Sequence, residues 1–239
     1  MKLLTSNTKL AKGGPEWVLL GVQMLPHTAG GTTSVCPFAT AKGCFPSCIA
    51  YAGHGAWANV QAARLERKRL WLENKELFYR WLQAETLAAV RKLEPGQRLA
   101  LRLNVFSDIP HEVHAPQMFD ALKAWWVQVN DYCKDWDRYM TFLRGGGGWP
   151  SNYHLTLSYS EARLWTEYET ILKMGGTVSV PMAPDVYDQA VSTGMFRGFD
   201  VVDGDAHDRR WEDPHGSVVA LKVKGKGKAD KSGFIVRAA

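Results

Sequence analysis

The sequence predicts an α/β fold, either a partial or irregular β/α barrel with parallel strands or, as the alternative, an open doubly wound sheet. Stretches rich in β-branched and aromatic residues alternate with helical stretches along the 239 residues, which is typical of βα units. With about six or seven strands, the barrel is expected to be incomplete. The composition, 46% hydrophobic and 22% charged, supports a large core and excludes intrinsic disorder.

The expected elements follow in order. A first strand is predicted at residues 17–24, and residues 56–93 have the composition and spacing of two helices, with Asn74 as the N-cap of the second. Pro95 and Gly96 end that region. Further strands are predicted at residues 98–105, 139–144, 153–158, 177–180, 199–202 and 217–223, and further helices at residues 117–136, 161–174 and 186–193.

The chain is expected to form one domain over residues 1–239, with a cysteine loop at 29–55 and a basic C-terminal strand and tail at 217–239. The 29 Lys and Arg exceed the 24 Asp and Glu by five. Residues 222–231 hold five lysines and one aspartate, and so contribute +4. Alternating lysines lie on one face of an extended strand, so nucleic acid could bind through Lys222–Lys228. The same row could equally protect an edge strand from aggregation.

No membrane span or export signal is evident. The apolar run at residues 17–25 contains Gln23 and is about half the length of a bilayer-spanning helix. Residues 1–8 lack the apolar stretch of a signal peptide. We therefore expect a cytoplasmic protein with reduced thiols, in which clustered cysteines are more often metal ligands or catalytic groups than disulfides.

Cys36, Cys44 and Cys48 form a C-x7-C-x3-C pattern just after the first predicted strand. A loop of this length can fold three thiolates around one centre, and its backbone N–H groups suit a 4Fe-4S cluster. Zinc is the alternative, with His27 or His54 completing a Cys3His site. Three buried apolar thiols are the remaining interpretation.

Cys133 lies in an aromatic-rich stretch at residues 125–136 that is predicted to be helical. It is either a core cysteine or a fourth metal ligand beside Cys36, Cys44 and Cys48. Without a fourth thiolate, one iron of the cluster is left open for a small ligand.

Two polar groups follow strands. Asn104, Ser107 and Asp108 stand at and beyond a predicted strand end, where they could position a ligand or simply cap the loop. Arg102 lies two residues before Asn104, so both side chains are expected on the same face of the strand. A buried guanidinium there would need an anionic partner. A second group contains three carboxylates and an imidazole, which could hold a divalent metal or form a solvated turn. Its members are Asp203, Asp205, His207 and Asp208.

Three blocks carry a resemblance: CPxATxxGCxxxC at residues 36–48, RLNVFSDI at 102–109, and NYHLTLS at 152–158 with DGDAHD at 203–208. Together they resemble a family of tailed-phage proteins described as a numbered gene product of mycobacteriophages, over residues 18–234. The resemblance implies a phage protein that works in the bacterial host cytoplasm. The cysteine loop after the first strand of a partial barrel is similar to radical S-adenosylmethionine enzymes, although their spacing is C-x3-C-x2-C.

Three functional hypotheses follow. The first is an iron–sulfur protein with a 4Fe-4S cluster on Cys36, Cys44 and Cys48. In its enzymatic form it is a redox or radical-type enzyme in which Asn104 and Asp108 position a ligand. S-adenosylmethionine is then a candidate cofactor. The second is a nucleic-acid-binding protein with a structural cluster or zinc site. The third is a metal-dependent nuclease that uses Asp203, Asp205 and His207.

Overall fold

An open sheet forms the centre of the molecule, which is described by a computed structural model for residues 1–39 and 43–238. Residues 40–42 of the predicted cysteine loop, with Thr40 of its motif, and Ala239 lie outside the described residues. The strands are β1 (Leu4–Thr5), β2 (Trp17–Val22), β3 (Arg98–Arg102), β4 (Gln128–Cys133), β5 (Tyr153–Ser158), β6 (Val178–Met182), β7 (Met195–Phe196), β8 (Phe199–Asp203) and β9 (Val218–Lys222). The helices are α1 (Ala58–Glu73), α2 (Lys75–Val90), α3 (His111–His114), α4 (Pro116–Ala124), α5 (Trp136–Leu143), α6 (Trp165–Lys173) and α7 (Pro184–Thr193).

The strand order is β1-β2-β3-β4-β5-β6-β9-β8-β7. The strands from β2 to β8 in this order pair in parallel, and the short β1 and β7 pair antiparallel at the two edges. The edges do not meet, so the sheet is not closed. The predicted α/β fold with an incomplete parallel sheet is confirmed.

The two faces of the sheet are covered differently. Helices pack on one face, where Leu101 of β3 and Leu155 of β5 join a large apolar core with Phe78 of α2 and Ile171 of α6. The other, inner face is covered by the N-terminal segment, which contributes Leu10, and by the loop between β8 and β9. That loop places buried charged side chains, among them Asp208 and Arg210, against the inner face. Polar residues therefore cover part of this face.

Residues 117–144 do not fold as predicted. The expected helix at 117–136 ends at Ala124, and a turn with Trp126 in the left-handed region leads into β4. Val127 and Val129 are buried there, and their β-branched side chains suit a central strand. The expected strand at 139–144 is instead α5, which begins where the Asp135 carboxylate accepts a hydrogen bond from the backbone N–H of Arg138.

The predicted lysine row on one strand face is wrong. Lys222 ends β9, and the chain then turns into a 3-10 helix at Gly225–Ala229 that contains Lys226 and Lys228. Gly225 has a φ of 57° at the start of this helix, a conformation that glycine adopts without strain. Because β9 lies between β6 and β8, it is not an edge strand either.

Among the described residues, no helix combines the length and the apolar character that a membrane crossing requires.

Candidate functional site

A cavity of about 280 Å³ opens at the carboxyl ends of the parallel strands. Its walls come from the ends of β3, β4, β5, β6 and β9, from the loop after β8 and from the cysteine loop. Functional groups gather at this end in β/α folds because the loops that follow the strands converge there. The cavity is therefore the candidate functional site.

The cysteines of the motif share this cavity. Cys36, Cys44 and Cys48 all line it, although seven residues of chain separate the first two. The Cys36 thiol donates a hydrogen bond to the Phe106 carbonyl over 3.1 Å and accepts one from the His27 backbone N–H over 3.4 Å. These contacts tie the cysteine loop to the loop after β3.

Burial and mutual repulsion disfavour the thiolate forms of Cys36 and Cys48. Burial, with smaller contributions from nearby Cys48 and Cys44, raises the pKa of the Cys36 thiol to about 12 in spite of a hydrogen bond from the His27 backbone. Burial also raises the pKa of Cys48 to about 11, with a contribution from Cys44. A cation among these thiols would favour their deprotonation.

Two buried cations and the half-buried Lys134 lie near the thiols, and no sequence pattern predicted them. Lys68 on α1 is fully buried and interacts electrostatically with Cys36. Arg64, one turn earlier, interacts with Cys48, and Lys134 after β4 interacts with Cys44. Their i, i+4 spacing places Arg64 and Lys68 on one face of α1. A cationic face at that spacing is the signal that could have revealed them.

Backbone carbonyls hold the two helical cations in place. Lys68 donates to the carbonyls of His27 and Ala29, and Arg64 donates to the carbonyl of Ala50 and to the Gln23 side chain. Within residues 1–39 and 43–238, neither cation has a carboxylate partner. The thiols are therefore the acidic groups that face them.

The three thiols do not form a finished metal site. Across the described ranges, no group of three or more His, Cys, Asp or Glu side chains is arranged to hold a metal ion. His27, which also lines the cavity, has its Nδ1 atom 3.0 Å from the Ser34 hydroxyl. His54 instead packs against the Trp57 ring, with 4.2 Å between the ring centroids.

Cys133 occupies a different position. It is the last residue of β4 rather than part of a helix, and it is fully buried on the helix-covered face. Its thiol donates to the Asp135 carbonyl over 3.4 Å and lies 3.7 Å from Arg138 Nη1. The cavity wall includes its neighbours Tyr132 and Lys134 but not Cys133. A role for Cys133 as a fourth ligand stays a prediction.

Asn104 and Asp108 both reach the cavity wall, yet they are already bonded. The Asn104 side chain donates to the Ile109 carbonyl and to Asp131, and accepts from Ser107 and from the Ile109 N–H. The carboxylate of Asp108 accepts from the Lys134 N–H over 2.8 Å and from Arg138 over 3.2 Å. These bonds brace the loop after β3, and a ligand-positioning role for both residues stays a prediction.

The acidic side chains at the end of β8 and in the loop that follows it each contact a different partner. Asp203 accepts from the Tyr187 hydroxyl, Asp205 pairs with Lys224 at 2.9 Å, and Asp208 pairs with Arg102 at 3.0 Å. The His207 ring lies 3.0 Å from Arg210. Because cations already neutralise Asp205 and Asp208, the geometry does not favour the predicted divalent-metal site.

The basic C-terminal patch is also partly neutralised. Lys222 pairs with Asp188 at 2.7 Å, and Lys224 pairs with Asp205. Lysines already bonded to carboxylates offer less net charge to a phosphate backbone.

His154 on β5 provides a pH-dependent test of the inner face. Burial and the nearby Arg210 lower its pKa to about 4, against an ordinary value of 6.5. Between these values the unfolded chain binds a proton that the folded protein excludes, so stability falls as the pH drops from 6.5 towards 4. His154→Gln is expected to remove roughly 2–3 kcal/mol of this pH dependence, measured by urea denaturation across that range. An unchanged pH profile would show that the ring takes up a proton in the folded protein as readily as in the unfolded chain.

Comparison with known proteins agrees with the resemblance noted from the motifs. Neither the curated proteins nor the solved structures include a significant match to the chain. The model of the family described as Gene product 88 matches residues 1–238, and the chain therefore belongs to this family of phage gene products.

Proposed function

We propose that this protein is an iron–sulfur protein in which Cys36, Cys44 and Cys48 bind a 4Fe-4S cluster at the wall of the cavity. The observation that carries the proposal is that the three thiols line one cavity, with the buried cations Lys68 and Arg64 near Cys36 and Cys48 and the half-buried Lys134 near Cys44. Apolar core cysteines would not need such neighbours, because a thiol is uncharged.

The buried cations support thiolate ligation. A lysine or arginine held out of water without an anion is costly, and cations of this kind are normally paired. Thiolates would supply the missing negative charge next to Lys68 and Arg64, whereas Lys134 already has Asp108 and Glu161 nearby. The same cations would hold an assembled anionic centre in place. Since the thiols are not yet arranged around one point, binding would draw the cysteine loop inward.

Iron–sulfur ligation fits better than zinc. A structural zinc site needs a closed set of four ligands, and His54 lies away from the cavity against Trp57. His27 does line the cavity, but its Nδ1 atom is hydrogen-bonded to the Ser34 hydroxyl. Cys133 faces the helices. Three ligands suit a cluster whose remaining iron opens towards the cavity. When bound, such a cluster supplies a single electron to a ligand, and Asp108 and Lys134 are among the polar groups of this chain that line that space.

Anaerobic purification after iron-replete expression tests the proposal. Iron and acid-labile sulfide are expected in about equal amounts, with a reduced-state electron paramagnetic resonance signal typical of 4Fe-4S. The Cys133→Ala variant, purified in parallel, is expected to keep both. A colourless protein that holds stoichiometric zinc would contradict the proposal. Addition of S-adenosylmethionine is the test for the radical-type version, in which the spectrum changes.

A further inference from the structure

One part of the cavity wall, formed by Lys9, Arg102 and Tyr132, carries more positive than negative charge. The Lys9 ammonium lies 3.0 Å from the Tyr132 hydroxyl and 3.2 Å from Asp208 Oδ1, and Arg102 Nη1 lies 3.0 Å from Asp208 Oδ2. Lys9, Arg102 and Tyr132 line the cavity, and the Asp208 side chain beneath them is completely buried. The Arg102 guanidinium also stacks on the Tyr132 ring.

One carboxylate cannot neutralise both cations. Burial would raise the pKa of Asp208, but Arg102 and Lys9 lower it to about 2, so it is ionised and contributes a single negative charge. Lys9 and Arg102 contribute two positive charges. Asp131, the other carboxyl group that acts on Arg102, has its pKa raised to about 7 by burial and is only partly ionised at neutral pH, so positive charge remains in excess. Arg210, the next cation behind Asp208, has its own partner in Asp213 at 3.1 Å.

Hydrogen-bonding capacity is left over as well. Arg102 Nε is buried and, among the described residues, has no hydrogen-bond partner. The Lys9 ammonium has three N–H groups and makes two contacts, with Tyr132 and Asp208. A buried donor without an acceptor and a buried charge without a counter-charge are both unfavourable. An anion in the cavity would relieve both.

We propose that Lys9, Arg102 and Tyr132 form a subsite for the oxyanion of a small ligand, a phosphate or a carboxylate. The cavity of about 280 Å³ leaves room for a compact ligand body, and Phe106 and Phe234 on its walls provide apolar contact. The subsite lies in the cavity of the proposed cluster, but it uses different residues and does not depend on iron.

Calorimetric titration of the iron-free protein at constant ionic strength tests the subsite, with inorganic phosphate and acetate as separate probes. Binding of phosphate or acetate to the wild type is expected, and which of them binds tighter distinguishes a phosphate from a carboxylate ligand. Lys9→Gln and Arg102→Gln are each expected to weaken binding about tenfold or more. Lys173→Gln, on the exposed surface of α6, is the matched control and should bind as the wild type does.

Asp208→Asn is expected to change binding in the opposite direction, and a loss of folding cannot produce such a gain. It removes the competing carboxylate, so it is expected to tighten anion binding and to make the melting temperature depend more strongly on phosphate. Binding of neither probe to the wild type would overturn the subsite, as would wild-type affinity in both cation variants. Iron content is measured separately on anaerobically purified protein of the same variants, so a failed subsite and a failed cluster are told apart.

Discussion

Replacing Arg138 with methionine is expected to lower the free energy of unfolding at pH 7 by about 3–5 kcal/mol. The Arg138 side chain is only 6% exposed and lies behind β4, where it bonds two buried carboxylates. It donates to both oxygens of Glu112 over 2.8 Å, to Asp108 over 3.2 Å and to the Tyr153 hydroxyl over 2.8 Å. Methionine fills similar volume but removes the cation that the two buried carboxylates share, so that Lys134 is left to act on Asp108.

The measurement is urea denaturation of the variant and the wild type at pH 7 and pH 4. The loss should shrink at pH 4, because carboxyl groups that have lost their cation can take up protons. Burial already raises the pKa of Asp108, and Arg138 opposes that shift. Arg80→Met is the matched control, since its pair with Glu76 is exposed and should contribute about 0.3–0.5 kcal/mol. A loss below about 1 kcal/mol in Arg138→Met would show that the network does not stabilise the fold.

Much of the sheet could be predicted because its strands are strongly apolar and bounded by turns. Central strands such as β5 and β6 are buried at most positions, and each has a buried apolar side chain at every second residue, namely Tyr153, Leu155 and Leu157 in β5 and Val178, Val180 and Met182 in β6. The rule that loops meet at the carboxyl ends of parallel strands then located the cysteine loop correctly. Pattern and topology together were sufficient for this part of the fold.

Residues 117–144 could not be predicted because local preference and tertiary packing disagree there. Trp125 and Trp126 precede a strand whose polar residues Asn130 and Asp131 are fully buried and satisfied by distant partners. Asp131 accepts hydrogen bonds from the Asn104 backbone and from Tyr153. Such partners come from other strands, and no local pattern reveals them.

The candidate site was predictable in its thiols but not in its charges. Cys36, Cys44 and Cys48 are close in sequence, and their spacing indicates a common centre. Lys9 and Lys134 come from distant segments that meet only in the folded chain. Lys68 lies on a helix whose cations would ordinarily be interpreted as a solvated face, yet its side chain is fully buried.

Replacing any one of Cys36, Cys44 and Cys48 with alanine is expected to remove most of the iron and sulfide, about tenfold or more relative to the wild type. A cluster held by three thiolates has no spare protein ligand, so the loss of one leaves two irons without protein coordination. The measurement is the iron and sulfide content of anaerobically purified variants, together with their visible absorption.

Cys133→Ala is the matched control for these variants, because it removes a thiol of equal size from the opposite face of β4. It should keep the cluster and lose only about 1 kcal/mol of stability from the small void. If Cys133→Ala loses iron as the other three variants do, the centre has four protein thiolates, and the cysteine loop must reach across β4 to form it. If instead all four variants retain iron, these thiols are not its ligands and the cluster proposal fails. Comparison of Cys133, on the helix-covered face, with the three thiols that line the cavity therefore separates an open cluster from a closed one.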